Sequence, residues 1–337
     1  MWTAILWGAW YVPGEAIWWE FPYIAMAFDT TAEFLTAAAV ITTLNAIAVL
    51  LFMFIWMGVL GKVGDYVRTI RQFRNISKWY FFAAIFGGPM TIFGSFMAMG
   101  YIGGVFAAVA ALMYPVVGSV AAFYWYNEKI TQRAAFGILL VIAGGLVVFA
   151  PGIVAELQAG TGAWLGYLGG LMAAVGWGIE GAIAGRALDV SDPDVGLPIR
   201  FTAEVFFWVA IILPFAAIVL GAPVMTMVVQ TLTLWPIMLL LLAGVTFGFC
   251  YVSWYKSFPL IGVGRGQAIA DFYGLYAIIF MAIFTLAMPE WNFLVGALIV
   301  IVGGFVMYTE KRDVLEVIRV IPKAVKSGDE NISTGGK

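Results

Sequence analysis

The chain has no histidine, a single cysteine and few charges, only 11% of its 337 residues. Without histidine the commonest general base, metal ligand and proton relay is missing. Metal sites of the HExxH type, Ser-His and Cys-His nucleophile pairs and histidine-ligated haem are therefore excluded. Cys250 lies alone in an apolar run, which rules out an intramolecular disulfide framework and a cysteine-only zinc site. It reads as a small buried hydrophobe. The glycine-bearing stretches "GVGRGQ" at 262–267 and "LGGLMAAVG" at 168–176 sit inside apolar runs. They lack the preceding strand and following Lys-Ser/Thr of a phosphate loop and suit close helix packing instead. We expect no enzymatic activity, no cofactor, no metal and no nucleic-acid partner.

The scarcity of charge has a second meaning. Soluble domains carry about 25% charged residues, whereas here 63% of residues are hydrophobic, the mean hydropathy is +0.99 and the charges gather in a few short segments. An integral membrane protein of class all-α follows. Windows matched to the ~20 residues a spanning helix needs predict ten spans, at 1–19, 34–60, 79–99, 102–125, 134–151, 163–184, 201–220, 234–255, 260–287 and 292–308. The first lacks the basic region and cleavage site of a signal peptide and is expected to be retained.

With ten spans, all 17 basic residues fall on the side of the termini or at its edge, among them Lys62, Arg68, Arg186, Arg200, Lys256 and Arg265. The opposite connections hold Glu20, Asp29, Glu33, Glu156 and Glu290 and no basic residue. The positive-inside rule then places both termini in the cytoplasm, with the chain in the cytoplasmic (inner) membrane. Residues 310–337 read as an amphipathic helix, with Val314, Leu315, Val317, Ile318 and Ile321 on its apolar side, followed by a disordered tail.

A shift of 159 residues aligns 102–149 with 261–308 without a gap, matching Ala111 with Ala270, Tyr114 with Tyr273, Gly137 with Gly296, and Gly144-Gly145 with Gly303-Gly304. Trp7-Gly8 is echoed by Trp177-Gly178. The chain thus reads as two five-helix repeats, 1–152 and 153–309. Because five is odd, the second inserts upside down relative to the first, an arrangement of alternating-access carriers with a site near the midplane.

These residues, with the Tyr114-Pro115 pair, the Glu128 that follows and the glycine-rich fifth span, resemble the drug/metabolite transporter (DMT) superfamily, in its EamA-like ten-helix branch. The resemblance covers roughly residues 1–308. It implies the inverted-repeat fold and transport activity, while the segment 20–33 and the basic loop 61–78 are longer than that pattern usually shows.

Charges inside spans mark functional positions. Asp271, mid-span, shares a helix face with Gln267, and it is a candidate for the transport cavity and for carrying a coupling proton. Glu180, a turn from Trp177, is the second candidate for both, against a structural reading in which Arg186 or Lys256 neutralises it. Arg265 is expected to anchor at the cytoplasmic edge, and Glu204 to pair with Arg200 at the cytoplasmic surface. Pro13, Gly14 and Glu15 interrupt the first span and are a candidate gate. Trp7, Trp10, Tyr11, Tyr114, Trp177, Tyr273 and Tyr276 are expected to line the solute site. Such aromatic faces with carboxylates suit an organic cation and equally an aromatic or apolar solute. With no nucleotide-binding domain in this sequence, the driving force is expected to be a proton, sodium or substrate gradient. The expected function is a secondary active transporter of a small organic metabolite. The alternatives are an intramembrane enzyme on lipid-linked substrates and a non-transporting scaffold.

Overall fold

The structure, a computed structural model, describes residues 1–26, 30–126, 130–159, 162–261 and 263–308. The 310–337 tail and Glu128 lie outside the described residues, as does the side chain of Arg265. The described elements are all helical: α1 (Trp2–Ala16), α2 (Thr31–Val59), α3 (Val63–Gln72), α4 (Arg74–Ile85), α5 (Phe93–Ile102), α6 (Gly104–Ala111), α7 (Tyr114–Tyr126) and α8 (Gln132–Ala159). There follow α9 (Trp164–Leu188), α10 (Pro193–Phe206), α11 (Leu213–Val219), α12 (Val224–Thr231), α13 (Leu234–Ile261), α14 (Val263–Asp271), α15 (Tyr273–Thr285) and α16 (Trp291–Tyr308). Two π-helical segments, Phe86–Ile92 and Phe207–Ile212, join α4 to α5 and α10 to α11 into continuous rods.

Local chemistry explains several boundaries. The Thr30 hydroxyl accepts the backbone N–H of Glu33 at 3.2 Å and opens α2 with a capping pair. Asp192 accepts the N–H of Asp194 at 2.9 Å with Pro193 at the first helical position, which starts α10. Inside α2, the hydroxyls of Thr36, Thr42 and Thr43 donate to carbonyls four residues back at 2.7 Å, so no hydroxyl is left bare in hydrocarbon. The expected basic loop at 61–78 is instead largely helical, forming α3 and the start of α4.

Among the described residues, seven helical stretches are long and apolar enough to cross a membrane: Thr31–Val59, Arg74–Ile102, Gly104–Trp125, Gln132–Glu156, Trp164–Leu188, Pro193–Val219 and Leu234–Ile261. The remaining apolar stretches are shorter, Ile269–Thr285, Trp291–Met307 and the 15 residues of α1. At 1.5 Å per residue α1 measures about 22 Å, less than the ~30 Å hydrocarbon thickness. Its continuation is a tight turn at Ile17–Trp19. Helix α9 is the central post, with 72% of its most apolar window buried, against 22% for Gln132–Glu156 on the periphery.

The helix boundaries repeat at the 159-residue spacing. Gly104, where α6 begins, maps onto Val263 of α14; Tyr114–Tyr126 maps onto Tyr273–Thr285; and Gln132 maps onto Trp291. Both rods break near the same place, after Ala111 in one and, one position later in the repeat, after Asp271 in the other. Helices α8 and α16 then pack antiparallel through glycine. A Cβ on Gly137 would stand 2.7 Å from the Gly303 carbonyl oxygen and one on Gly303 2.8 Å from that of Gly137. Gly144 and Gly296 face each other in the same reciprocal way, at 2.7 and 2.9 Å. Only glycine allows backbones this close.

Candidate functional site

Two buried polar sites flank a core of aromatic rings. The first joins α9, α10 and α13. Arg200 donates from Nε to Glu180 Oε1 at 2.7 Å, and from Nη1 to Glu204 Oε2. Its Nη2 faces the Tyr251 hydroxyl at 3.4 Å. Tyr251 in turn donates to Glu180 Oε2 at 2.9 Å, and Tyr255 donates to Glu180 Oε1 at 3.0 Å. All three charged side chains are fully buried. The guanidinium also lies over the Phe201 ring, 4.2 Å from its centroid. The sequence permits this because the first π-helical segment presents Gly87 and Gly88 to the cluster: a Cβ on Gly87 would fall 1.9 Å from Arg200 Nη2, and one on Gly88 2.5 Å from Glu204.

The two carboxylates are not equivalent. Both oxygens of Glu180 are held by donors, whereas Glu204 Oε1 has no hydrogen-bond partner among the described residues. One guanidinium facing two carboxylates leaves one formal negative charge uncompensated when both are ionised.

The aromatic core connects to this cluster through Trp177, whose Nε1 donates to the Tyr251 hydroxyl at 2.9 Å. Trp7 is its hub, stacked on Tyr273 at 4.7 Å and edge-on to Trp177 at 4.7 Å and Trp254 at 5.3 Å. Tyr11 stacks on Tyr273 at 5.9 Å, and Trp10 stacks on Phe247 at 4.4 Å while donating to Asn45 Oδ1 at 3.2 Å. Helix α1 supplies Trp7, Trp10 and Tyr11, and it is wedged between α13 and α15.

The second polar site lies on α14. Gln267 and Asp271, one turn apart, are both buried. Gln267 is seated where Gly118 of α7 and Gly181 of α9 leave room, since a Cβ on either would fall 2.1 or 2.2 Å from its amide. Neither polar atom of Gln267 and neither oxygen of Asp271 makes a well-formed hydrogen bond among the described residues. The Tyr114 hydroxyl approaches Asp271 but is donated to the backbone carbonyl of Gln267. Asp271 packs beside Gly304 of α16, where a Cβ would meet Oδ2 at 2.9 Å.

Of the residues expected at the solute site, Trp7, Trp10, Tyr11, Tyr114, Trp177 and Tyr273 converge in this core, with Glu180 on one side and Gln267 and Asp271 on the other. Tyr276 does not converge with them: Gly8 packs against its Cβ and its ring stacks on Phe280 at 6.2 Å, half-buried. Pro13 is accommodated within α1, Gly14 packs on Met99, and the Glu15 carboxylate accepts the N–H of Gly104 at the start of α6.

Two expectations are corrected. Glu204 does pair with Arg200, but the pair is fully buried, away from any surface. Glu180 is neutralised by Arg200, not by Arg186 or Lys256. Arg186 lies over the Trp79 ring at 5.1 Å, and Lys256 binds Asp194 at 2.8 Å. The expectations missed Arg200, Tyr251, Tyr255 and Trp254 as site residues. The visible signal was the spacing of four that puts Arg200 with Glu204 and Tyr251 with Tyr255 on single helix faces.

At the end of the bundle near Lys62, a clasp ties the first half of the chain to the second. Lys62 binds Asp192 at 2.6 Å and Asp194 at 2.7 Å, and Trp56 donates to Asp194 at 3.0 Å. Desolvation pulls the Lys62 ammonium down, but its hydrogen bonds to Asp192 and Asp194 and the charges of those carboxylates together leave it above the usual lysine value. Near the opposite end of α2, the Tyr23 hydroxyl and Thr231 hydroxyl meet at 2.7 Å.

No family model matches the chain, and no curated protein matches it. Among solved structures 22 chains match. One, described only as "Crystal structure of protein", superposes with a TM-score of 0.50 at 16% identity over 90% of this chain and 96% of the other. At that identity the likeness is one of fold alone.

Proposed function

We propose that the protein is a secondary active transporter of a small organic solute, working by alternating access between two inverted five-helix halves, 1–152 and 153–309. The matched helix boundaries at the 159-residue spacing and the reciprocal α8–α16 glycines support the repeat. They also agree with the resemblance to the EamA-like branch of the drug/metabolite transporters. The solute is recognised in the aromatic core built from both halves. In this reading the chain lies in the cytoplasmic membrane with both termini inside, so the Lys62 clasp closes the cytoplasmic side.

The observation that carries the reading is the contrast between the buried carboxylates. Glu180 is held by Arg200, Tyr251 and Tyr255 and serves as a fixed positioning group. Asp271 has no basic partner among the described residues and no well-formed hydrogen bond. A buried ionised carboxylate in that state is costly, so a proton or the solute itself must complete it. Asp271 is therefore assigned as the coupling group.

The test is solute-dependent proton flux in liposomes containing only this protein, screened with organic cations, amino acids, sugars and nucleobases under an imposed pH gradient. Wild type should move protons with one solute class, and Asp271→Asn should abolish the pH dependence while folding normally. Flux in the variant that keeps the wild-type pH profile removes Asp271 from coupling; absence of flux with every solute removes the transport reading.

A further inference from the structure

A recess of about 480 Å³ opens on the flank of the bundle between the first half of α2 and the two π-helical rods. Leu35 and Ala39 of α2, Pro89 and Phe93 of the first rod, and Trp208 and Ala216 of the second line it. Its rim continues into a broad apolar surface in which Phe215 is 55% and Ile218 82% exposed. In a chain with membrane-spanning helices that surface faces hydrocarbon.

The lining decides what can fill it. The polar groups in the wall are threonine hydroxyls, and that of Thr36, the deeper one, is already donated to the Ala32 carbonyl. Water needs two to four polar partners, and an empty recess of this size would forfeit the dispersion contacts of its whole lining. Hydrocarbon is the filling that fits.

One end of the recess is chemically different from the rest. That end, at Thr31 and Leu220, reaches the start of α2, whose first turn carries the exposed Glu33. Glu20 precedes α2, and residues 219–233 carry no charged side chain. Polar and acidic groups at the opening with an apolar shaft beneath match a lipid set with its headgroup outward, and the acidic rim disfavours an anionic headgroup.

We propose that this recess binds one acyl chain of a zwitterionic phospholipid whose headgroup ends in an ammonium. The headgroup sits against Glu33 and the chain end presses on Pro89 and Trp208. Those two residues belong to the π-helical segments that wall off the Glu180–Arg200–Glu204 cluster, so the lipid braces the partition in front of it. The proposal is independent of the transport reading.

The experiment uses the full chain in vesicles containing phosphatidylethanolamine with a diazirine midway along one acyl chain. Irradiation should place adducts on the peptides bearing Phe93, Trp208 and Phe215. Adducts spread evenly over lipid-facing positions such as Leu139 and Ile218 overturn the site. Mass spectrometry of the detergent-purified protein gives the second readout. Wild type should retain one phospholipid, and both Ala39→Phe and Ala216→Phe, which fill the shaft from α2 and from the second rod, should lower retention by about tenfold. The control Ile218→Phe, on the same surface outside the recess, should not. Equal retention in all four proteins overturns the proposal, and retention of anionic phospholipid in preference to phosphatidylethanolamine overturns the headgroup assignment.

Discussion

Replacing Arg200 by methionine removes the one cation from a fully buried cluster and leaves Glu180 and Glu204 facing each other without a counter-charge. Taking one partner from a buried ion pair costs about 3–5 kcal/mol, a large part of the ~5–15 kcal/mol that holds a typical protein folded. The Nε and Nη1 bonds disappear, Tyr251 loses its guanidinium neighbour, and the space beside Gly87 empties. Arg200→Met should therefore show a sharply lowered thermal unfolding midpoint in detergent and poor recovery of monodisperse protein. The argument makes a second demand. If the loss comes from uncompensated charge, the triple variant Arg200→Met, Glu180→Gln, Glu204→Gln should recover much of it, since neutral replacements of a buried ionic group are often tolerated. Between single variants, Glu180→Gln should cost more than Glu204→Gln, because Glu180 accepts from three side chains while one oxygen of Glu204 is unpartnered. An Arg200→Met midpoint within ~0.5 kcal/mol of wild type, the range of an ordinary surface change, would refute the buried cluster. A triple variant no better than the single would refute the electrostatic cause.

At the α8–α16 seam, Gly144→Ala should destabilise by about 1–3 kcal/mol through overpacking, because its Cβ meets the Gly296 carbonyl and the Val300 N–H at 2.7 and 2.8 Å. Gly145→Ala, whose nearest neighbour is the flexible Met113 sulfur at 3.2 Å, should be nearly silent in the same unfolding assay. The Lys62 clasp predicts an alkaline effect. Its folded-state pKa is raised, so its stabilisation is complete below the ~10.4 of a free lysine and fades as pH climbs through the folded value. Stability measured across the alkaline range should fall more steeply in wild type than in Lys62→Met, and parallel curves would rule out the linkage.

The helical membrane character was legible because it rests on composition and run length, which no tertiary contact alters. The aromatic core was largely legible too, since Trp7, Trp10, Tyr11, Trp177 and Tyr273 lie on rods whose positions follow from those runs. The charged cluster was not. Glu180 and Arg200 are 20 residues apart on separate helices, and their meeting depends on how α10 folds back against α9. Counting Arg200 among the cytoplasmic charges followed from the positive-inside rule, which assigns sides to loops and says nothing of an arginine eight residues into a helix. Tyr276 stands apart from the aromatic core: Gly8 packs against its Cβ, and its ring stacks on Phe280. The predicted first span, 1–19, overruns the end of α1 into the tight turn at Ile17–Trp19, whereas 292–308 lies within α16.

The glycine seam between α8 and α16 also constrains how this molecule can move. Each missing Cβ faces a carbonyl on the other helix, so the pair fits in one axial position. A slip along the same helix face would bring Leu140 or Val141, three and four residues on, toward the Gly303 carbonyl, where a Cβ finds no room. Side chains interlock there as well: Met307 seats against Gly137, Val300 against Gly144, Val148 against Gly296 and Leu140 against Gly303. The seam is in mechanical terms a keyed joint that makes α8 and α16 one body.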